Sequence, residues 1–242
     1  VSLISSTSFD AYFAEVIIGE VAVSATDTGM LVDIGYDSSG GTSYSVVIPD
    51  ILAGFRAVSA NGPPSVCFPV WIPRGSQVGA RNQAAVASDT ARVGIRLFGG
   101  LGGNAPRPHR SNITTYGVVS ASSSGTTMAN AAVDTKGAWT QLGSDLTRPH
   151  SGLTVVTTGG DSSITSNRYL LDIGMDPAGG TSYSVIIPDI TVQFSANEIA
   201  WMQDSLRCLR ALPIPSGAAI AARAAASAAN VQADLEVAVY GW

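Results

Sequence analysis

Leu31–Ile51 reads LVDIGYDSSGGTSYSVVIPDI, and Leu170–Ile190 reads LLDIGMDPAGGTSYSVIIPDI. Sixteen of the 21 aligned positions are identical, and Val/Leu and Val/Ile account for two of the five differences. Chance does not produce such a match, so the chain reads as two copies of one unit. The offset of 139 residues extends backwards, where Leu3 falls on Leu142 and Val16-Ile17 on Val155-Val156. Forwards it grows to 142, so that Ile72-Pro73-Arg74-Gly75 falls on Ile214-Pro215-Ser216-Gly217, Ala80-Arg81 on Ala222-Arg223, and Phe98-Gly99 on Tyr240-Gly241. Residues 1–100 form the first copy and 140–242 the second, with 101–139 as a linker. Solenoid repeats span only about 20–50 residues, so this spacing implies duplicated domains.

Within one copy the pattern is that of short strands. Arg92–Phe98 places Val93, Ile95 and Leu97 on one face and Arg92 and Arg96 on the other. The second copy keeps Leu235, Val237 and Val239 inward and puts Asp234 and Glu236 outward, as a core strand with a solvated outer face would. Leu31–Gly35 and Ser43–Ile51 make a hairpin around the turn formers of Asp37–Gly41. Pro49 ends the second of these strands or marks a sheet edge, because proline donates no ladder hydrogen bond. Ala218–Ala229 has the composition of a helix, since alanine is the best helix former. Its counterpart, Ser76–Ala87, does not, and two copies of one fold should agree, so both are predicted as strand. Seven or eight strands per copy, with turns every 8–12 residues, predict an all-β protein of two tandem antiparallel β-sandwiches. A jelly-roll-like form is the first choice and an immunoglobulin-like form the second. The linker carries strand-like Ile113–Ser120 and Met128–Asp134, placed to add edge strands or to bridge the copies.

Composition narrows the function. Charged residues are 13% of the chain, about half the usual share, and the net charge is −5. A surface so neutral suits packing against other subunits. The scattered basic residues do not form the patch that phosphates require, so neither nucleic acid nor an anionic membrane is expected as a partner. No apolar run reaches the roughly 18 residues of a membrane span. No secretory signal is seen, and the sequence starts at Val1, so location is not read from its beginning.

Candidate chemistry is sparse. Cys67 and Cys208 take nearly equivalent places in separate domains, too far apart for a disulfide, and read as buried thiols. His109 and His150 each follow an Arg-Pro pair, lack partners at metal-ligand spacing and read as surface-loop residues. The repeated acids are Asp33, Asp37 and Asp50, matched by Asp172, Asp176 and Asp189. Carboxylate pairs serve glycosidases, but a catalytic pair is rarely duplicated in both halves of a chain. Asp37 and Asp176 open hairpin turns; a calcium loop there is weakened by Pro177 and Ala178, which replace oxygen donors. Asp33 with Arg81, and Asp172 with Arg223, are proposed as buried ion pairs that favour a unique packing, and each demands a separation within about 6 Å. Gly99–Gly103 precedes no helix and is not a phosphate loop. Trp71, Trp139, Trp201 and Trp242 would have to line any sugar platform, although Trp71 has no match in the second copy. Catalytic residues, cofactors and metals are not expected.

Two strings carry a family resemblance: the D-I-G…G-G…V-V-I-P-D hairpin, and F-P-V-W-I-P-R-G-S…A-R…V-G-I-R-L-F-G. They resemble β-sandwich modules of tailed-bacteriophage virion proteins, found in head spikes, decorations and tail fibres. Both copies match, over about 200 of the 242 residues. Thr42-Ser43 and Thr181-Ser182 depart from the acidic residue frequent there. The resemblance implies a non-enzymatic virion structural protein, oligomeric, with other virion proteins and copies of itself as partners. The alternative is a carbohydrate-binding module directed at a host surface glycan.

Overall fold

The computed structural model describes residues 1–22, 29–53, 65–84, 86–87, 89–100, 113–129, 132–159, 167–194, 212–228 and 235–242. It is all-β and antiparallel throughout its named strands. In the first half the strands are β1 (Ser2–Ile4), β2 (Ala11–Ala22), β3 (Met30–Asp37), β4 (Ser45–Ala53), β5 (Ser65–Phe68), β6 (Gln77–Ala84) and β7 (Thr90–Gly99). They form a four-stranded sheet, β1-β6-β3-β4, and a three-stranded one, β5-β2-β7. Inward side chains from both sheets make one core, including Val16, Ile18, Val32, Ile34, Ile51 and Phe68. The hairpin of β3 and β4 lies within one sheet, and seven described strands make up this sandwich.

Three short strands follow: β8 (Thr114–Tyr116), β9 (Val118–Val119) and β10 (Ser124–Thr127). The second half has β11 (Thr140–Gly143), β12 (Leu153–Gly159), β13 (Asn167–Asp176), β14 (Ser184–Phe194), β15 (Ala219–Ala226) and β16 (Leu235–Gly241). One sheet runs β11-β15-β13-β14; the other runs β12-β16-β10-β9, and β8 also pairs with β16. The linker strands therefore hydrogen-bond into the second half's sheet.

The two four-stranded sheets share register as well as order. Asp33 faces Arg81 and Met30 faces Ala84; at offsets of 139 and 142, Asp172 faces Arg223 and Tyr169 faces Ala226. Each edge strand also bulges at the same place. Val32 pairs with Ile51 and Ile34 with Ile48, so Pro49 and Asp50 oppose Asp33 alone. Asp50 takes φ of 53° and Asp189 φ of 50°, the left-handed geometry that one extra residue in a strand demands. Of the two roles read for Pro49, the edge position is the one found, and β4 runs on to Ala53. The other sheets differ. Val16 pairs with Ile95, whereas Val155 pairs with Val239 rather than Val237, a slip of two residues. A two-residue slip keeps every side chain on its own face, which is why the core tolerates it.

The alanine-rich segment is a strand. β15 is hydrogen-bonded to β11 on one side and β13 on the other, so its backbone is satisfied without a helix. Ile220, Ala222, Ala224 and Ala226 face the second core, and Ala219, Ala221 and Ala225 are buried on the opposite face. Tertiary pairing on both edges overrides the propensity.

Candidate functional site

The four residues singled out as ion pairs meet in pairs. Arg81 Nε lies 2.6 Å from Asp33 Oδ2, and Arg223 Nε lies 3.0 Å from Asp172 Oδ2. Burial differs from the expectation: the Arg81 side chain is 74% exposed, whereas that of Arg223 is 31% exposed under the Trp139 ring, its Cζ 4.4 Å from the ring centre. The second carboxylate oxygen has a further role. Asp33 Oδ1 accepts the Asp50 amide at 2.7 Å, and Asp172 Oδ1 accepts the Asp189 amide at 3.0 Å, so each carboxylate clamps the edge-strand bulge. Lys136 adds to the second site only, donating to Asp172 at 2.7 Å and to the Leu170 carbonyl at 2.8 Å, and lying 3.0 Å from Asp189. Burial would raise the Asp172 carboxyl, but the Asp189 amide, Lys136 and Arg223 outweigh it and hold it below its ordinary range.

Asp37 and Asp176 organise the hairpin turns. Asp37 accepts the Ser39 hydroxyl at 2.6 Å, the Ser39 amide at 2.8 Å and the Ser43 amide at 2.8 Å. These bonds, the hydroxyl foremost, hold its carboxyl below the usual value. Asp176 accepts the Ala178 and Ser182 amides at 2.9 and 2.8 Å. A Cβ on Gly41 would stand 2.9 Å from Asp37 Oδ2, and one on Gly180 2.8 Å from Asp176 Oδ2, so the second glycine of each pair is needed for close approach. Among the described residues no three His, Cys, Asp or Glu side chains gather around one point.

Two readings of single residues need correction. His150 is not a surface-loop residue: it is 4% exposed, its Nε2 is 2.7 Å from the Tyr116 hydroxyl, and its ring packs edge-on against Tyr116. Burial, reinforced by Arg148, pulls its pKa down to about 4, so the ring is neutral. Cys67 stands half-buried on β5, between the buried Val66 and Phe68, rather than in the core. His109, Cys208, Trp201 and Asp234 lie outside the described residues.

The largest departure is at β16. All seven of its residues are buried, including Glu236 at 7% exposure, so its outer face is not solvated. Glu236 accepts the Gly125 amide at 3.0 Å and the Thr158 hydroxyl at 3.3 Å, which ties β10 to this sheet. Burial raises its carboxyl against those two bonds. Further along, Val156, Ala238 and Tyr240 belong to the first half's core. Tyr240 reaches both β4 and β5, edge strands of the first half's two sheets. Its ring meets Phe68 edge-on at 5.4 Å. Its hydroxyl accepts the Leu52 amide at 2.7 Å and donates to the Asp50 carbonyl at 2.9 Å. Burial pushes this phenol far above its ordinary pKa. Thr115 adds a hydrogen bond to the Pro49 carbonyl at 2.7 Å.

The matching surface of the first half is open. Phe98, at the position of Tyr240, is 50% exposed and touches Phe13 edge-on at 6.4 Å. Beside it Arg96 and Glu15 pair at 3.2 Å, with Arg96 67% exposed. On the second half, Thr191 and Asp189 match Leu52 and Asp50, and both are exposed on edge strand β14. Leu170 and Val185 are 43% and 42% exposed on the same sheet. Tyr240 was marked beforehand only by its place in the repeat; an aromatic kept on the outward row of both copies was the available signal. No protein-family model and no curated protein matches the chain.

Proposed function

We propose that the protein is a non-enzymatic structural protein of a tailed-phage virion, a head decoration, spike or tail-fibre component, that works by assembling with copies of itself and with other virion proteins. The two repeated strings support the virion reading by their resemblance to such modules. One observation carries the assembly reading. The contact between the halves joins unlike surfaces, the outer face of β12 and β16 against β4 and Phe68 of β5, and among the described residues the first half's Phe98 face and the second half's β14 edge are exposed. Contacts between unlike surfaces propagate from chain to chain and close into rings or run on as fibres. The exposed Phe98 face of one chain, set against the β14 edge of the next, repeats the internal contact. The low charge of the chain favours such packing.

Sedimentation velocity over a range of concentrations tests this directly. The parent chain is expected to form a defined oligomer, and Phe98→Glu to sediment as a monomer with unchanged strand content. A parent chain that stays monomeric at every concentration, or a Phe98→Glu oligomer like the parent, overturns the assembly reading. An antibody to the chain that fails to decorate the particles under the electron microscope overturns the virion reading.

A further inference from the structure

Strand β8 is three residues long, yet it touches both halves. Toward the first half, Ile113, just before it, is 5% exposed in that half's core, and the Thr115 hydroxyl donates to the Pro49 carbonyl at 2.7 Å. Toward the second half, β8 pairs with β16 at Thr114, Thr115 and Tyr116. One residue on, the Gly117 amide donates to the Leu142 carbonyl at 2.9 Å. A strand this short is marginal on its ladder bonds alone, so its side chains decide whether it stays.

Those side chains converge on His150. The Tyr116 hydroxyl lies 2.7 Å from His150 Nε2, and the two rings meet edge-on at 5.6 Å. Tyr116 sits so close to β11 that a Cβ on Gly143 would stand 2.5 Å from its ring. β16 walls in the imidazole in the same way: a Cβ on Gly241 would come within 2.7 Å of it. On a further side the backbone of His150 exchanges two hydrogen bonds of 2.9 Å with Ile214. Among the described residues the charge acting on the ring is Arg148, whose guanidinium also donates to the Thr114 hydroxyl of β8. Tyr116 is the other titratable group in contact with it. β16 turns Gly241 to the ring and sends Tyr240 into the first half's core, while β11 and the Ile214 segment carry no charged side chain. An imidazolium in this place would be stripped of water beside a guanidinium, whichever way the Tyr116 hydroxyl turns. β16 is fixed by its long ladder to β12, and Ile214 by its paired bonds, so β8 is the wall that can leave.

We infer that β8 is an acid-released strap between the halves: protonation of His150 expels Tyr116, β8 lifts from β16 and Leu142, and the junction loosens while each core stays folded. The ring is held to about 4 when closed and returns to about 6.5 when open, so the open state takes up the proton first. Closure is therefore favoured above the open value, and opening should become about thirtyfold more frequent between about pH 7.5 and 5. The strap does not depend on the virion or assembly readings above, because every contact in it lies within one chain.

Amide hydrogen exchange of the full chain, followed residue by residue by NMR and corrected for the pH dependence of the intrinsic rate, tests the strap. Gly117, bonded to Leu142, reports on β8, and Leu52, bonded to the Tyr240 hydroxyl, reports on the junction. From about pH 7.5 to 5, Gly117 is expected to lose about thirtyfold of its protection and Leu52 several-fold. Leu171 and Ala222, on strands paired along both edges, should keep theirs. His150→Phe fills the same place without a titratable ring and should make the protection of Gly117 independent of pH. Should that variant not fold, titration of the His150 ring in the parent chain decides: a value well below its ordinary one is expected, and an ordinary or higher one overturns the proposal. Unchanged protection of Gly117 or Leu52, a simultaneous loss at Leu171 and Ala222, or an acid loss at Gly117 that persists in His150→Phe also overturns it.

Discussion

β7 and β16 occupy the same place in the two halves but not the same surroundings. β7 pairs with β2 alone among the described strands, its inner row of Val93, Ile95 and Leu97 is only partly buried, and Phe98 projects outward. β16 is flanked by β12 on one side and by β8 and β10 on the other, and both its faces are covered. The inward rows are alike; the difference comes from what each outer row meets. A strand pattern thus specifies which side chains face inward, while the burial of the other face is decided by a distant part of the chain. Exposure at β7 is what an outer row shows when, among the described residues, no distant segment is brought against it.

That comparison can be broken most forcibly at Tyr240. Tyr240→Ala should cost about 3–5 kcal/mol in urea unfolding, since it empties a fully buried site, whereas Phe98→Ala should cost under about 1 kcal/mol at concentrations where the chain is dispersed. Equal losses would mean that the two outer faces are not in different situations. Tyr240→Phe is the sharper version: it leaves the Leu52 amide and Asp50 carbonyl without their partner, at about 1–3 kcal/mol.

Acid should separate the halves next. His150 occupies the position of Ala11, so only the second half carries this buried imidazole. Its folded pKa lies below the unfolded value near 6.5, so the unfolded chain takes up the proton first. The stability it protects is complete above that value and drains away as pH falls towards about 4, by up to roughly 3 kcal/mol. Unfolding midpoints measured between pH 7 and 4 should fall for the parent chain and fall less for His150→Ala. Asp172 and Asp37, both held below the ordinary carboxylate range, add a separate loss at still lower pH.

The ion pairs come third. Asp172→Asn removes the partner of two partly buried cations and should cost about 1–3 kcal/mol, while Asp33→Asn, facing one exposed arginine, should cost under about 1 kcal/mol. Asparagine can still accept the bulge amide in each case, so the contrast isolates the charge. Smallest of all is the surface pair on the open face: Glu15→Gln should change stability by less than about 0.5 kcal/mol, since Arg96 is mostly solvated.

Much of the fold was legible because the repeat constrained it. The hairpin of β3 and β4 and the strand nature of β15 followed from comparing two versions of one segment, and the second contradicts what alanine content alone says. Asp33 and Arg81 were legible as partners because both recur. The role of Asp33 in holding the Asp50 amide was not, since a backbone bulge leaves no mark but a Pro-Asp pair. Glu236 and His150 were misread for one reason: each is polar and looks like a surface residue until Gly125, Thr158 and Tyr116, from elsewhere in the chain, are brought against it. Trp139 was noted only as an aromatic, because its relation to Arg223 depends on the linker folding back over β15.

The bulges at Pro49-Asp50 and Pro188-Asp189 have a bearing on solubility. A straight edge strand offers its unpaired amides to any other chain, which is how amyloid begins. In β4 and β14 the proline supplies no amide, and the next residue turns its own amide inward to a carboxylate. Neither edge can template an endless ladder. Crowded at high copy number, such chains should precipitate less readily than their neutral surfaces would lead one to fear.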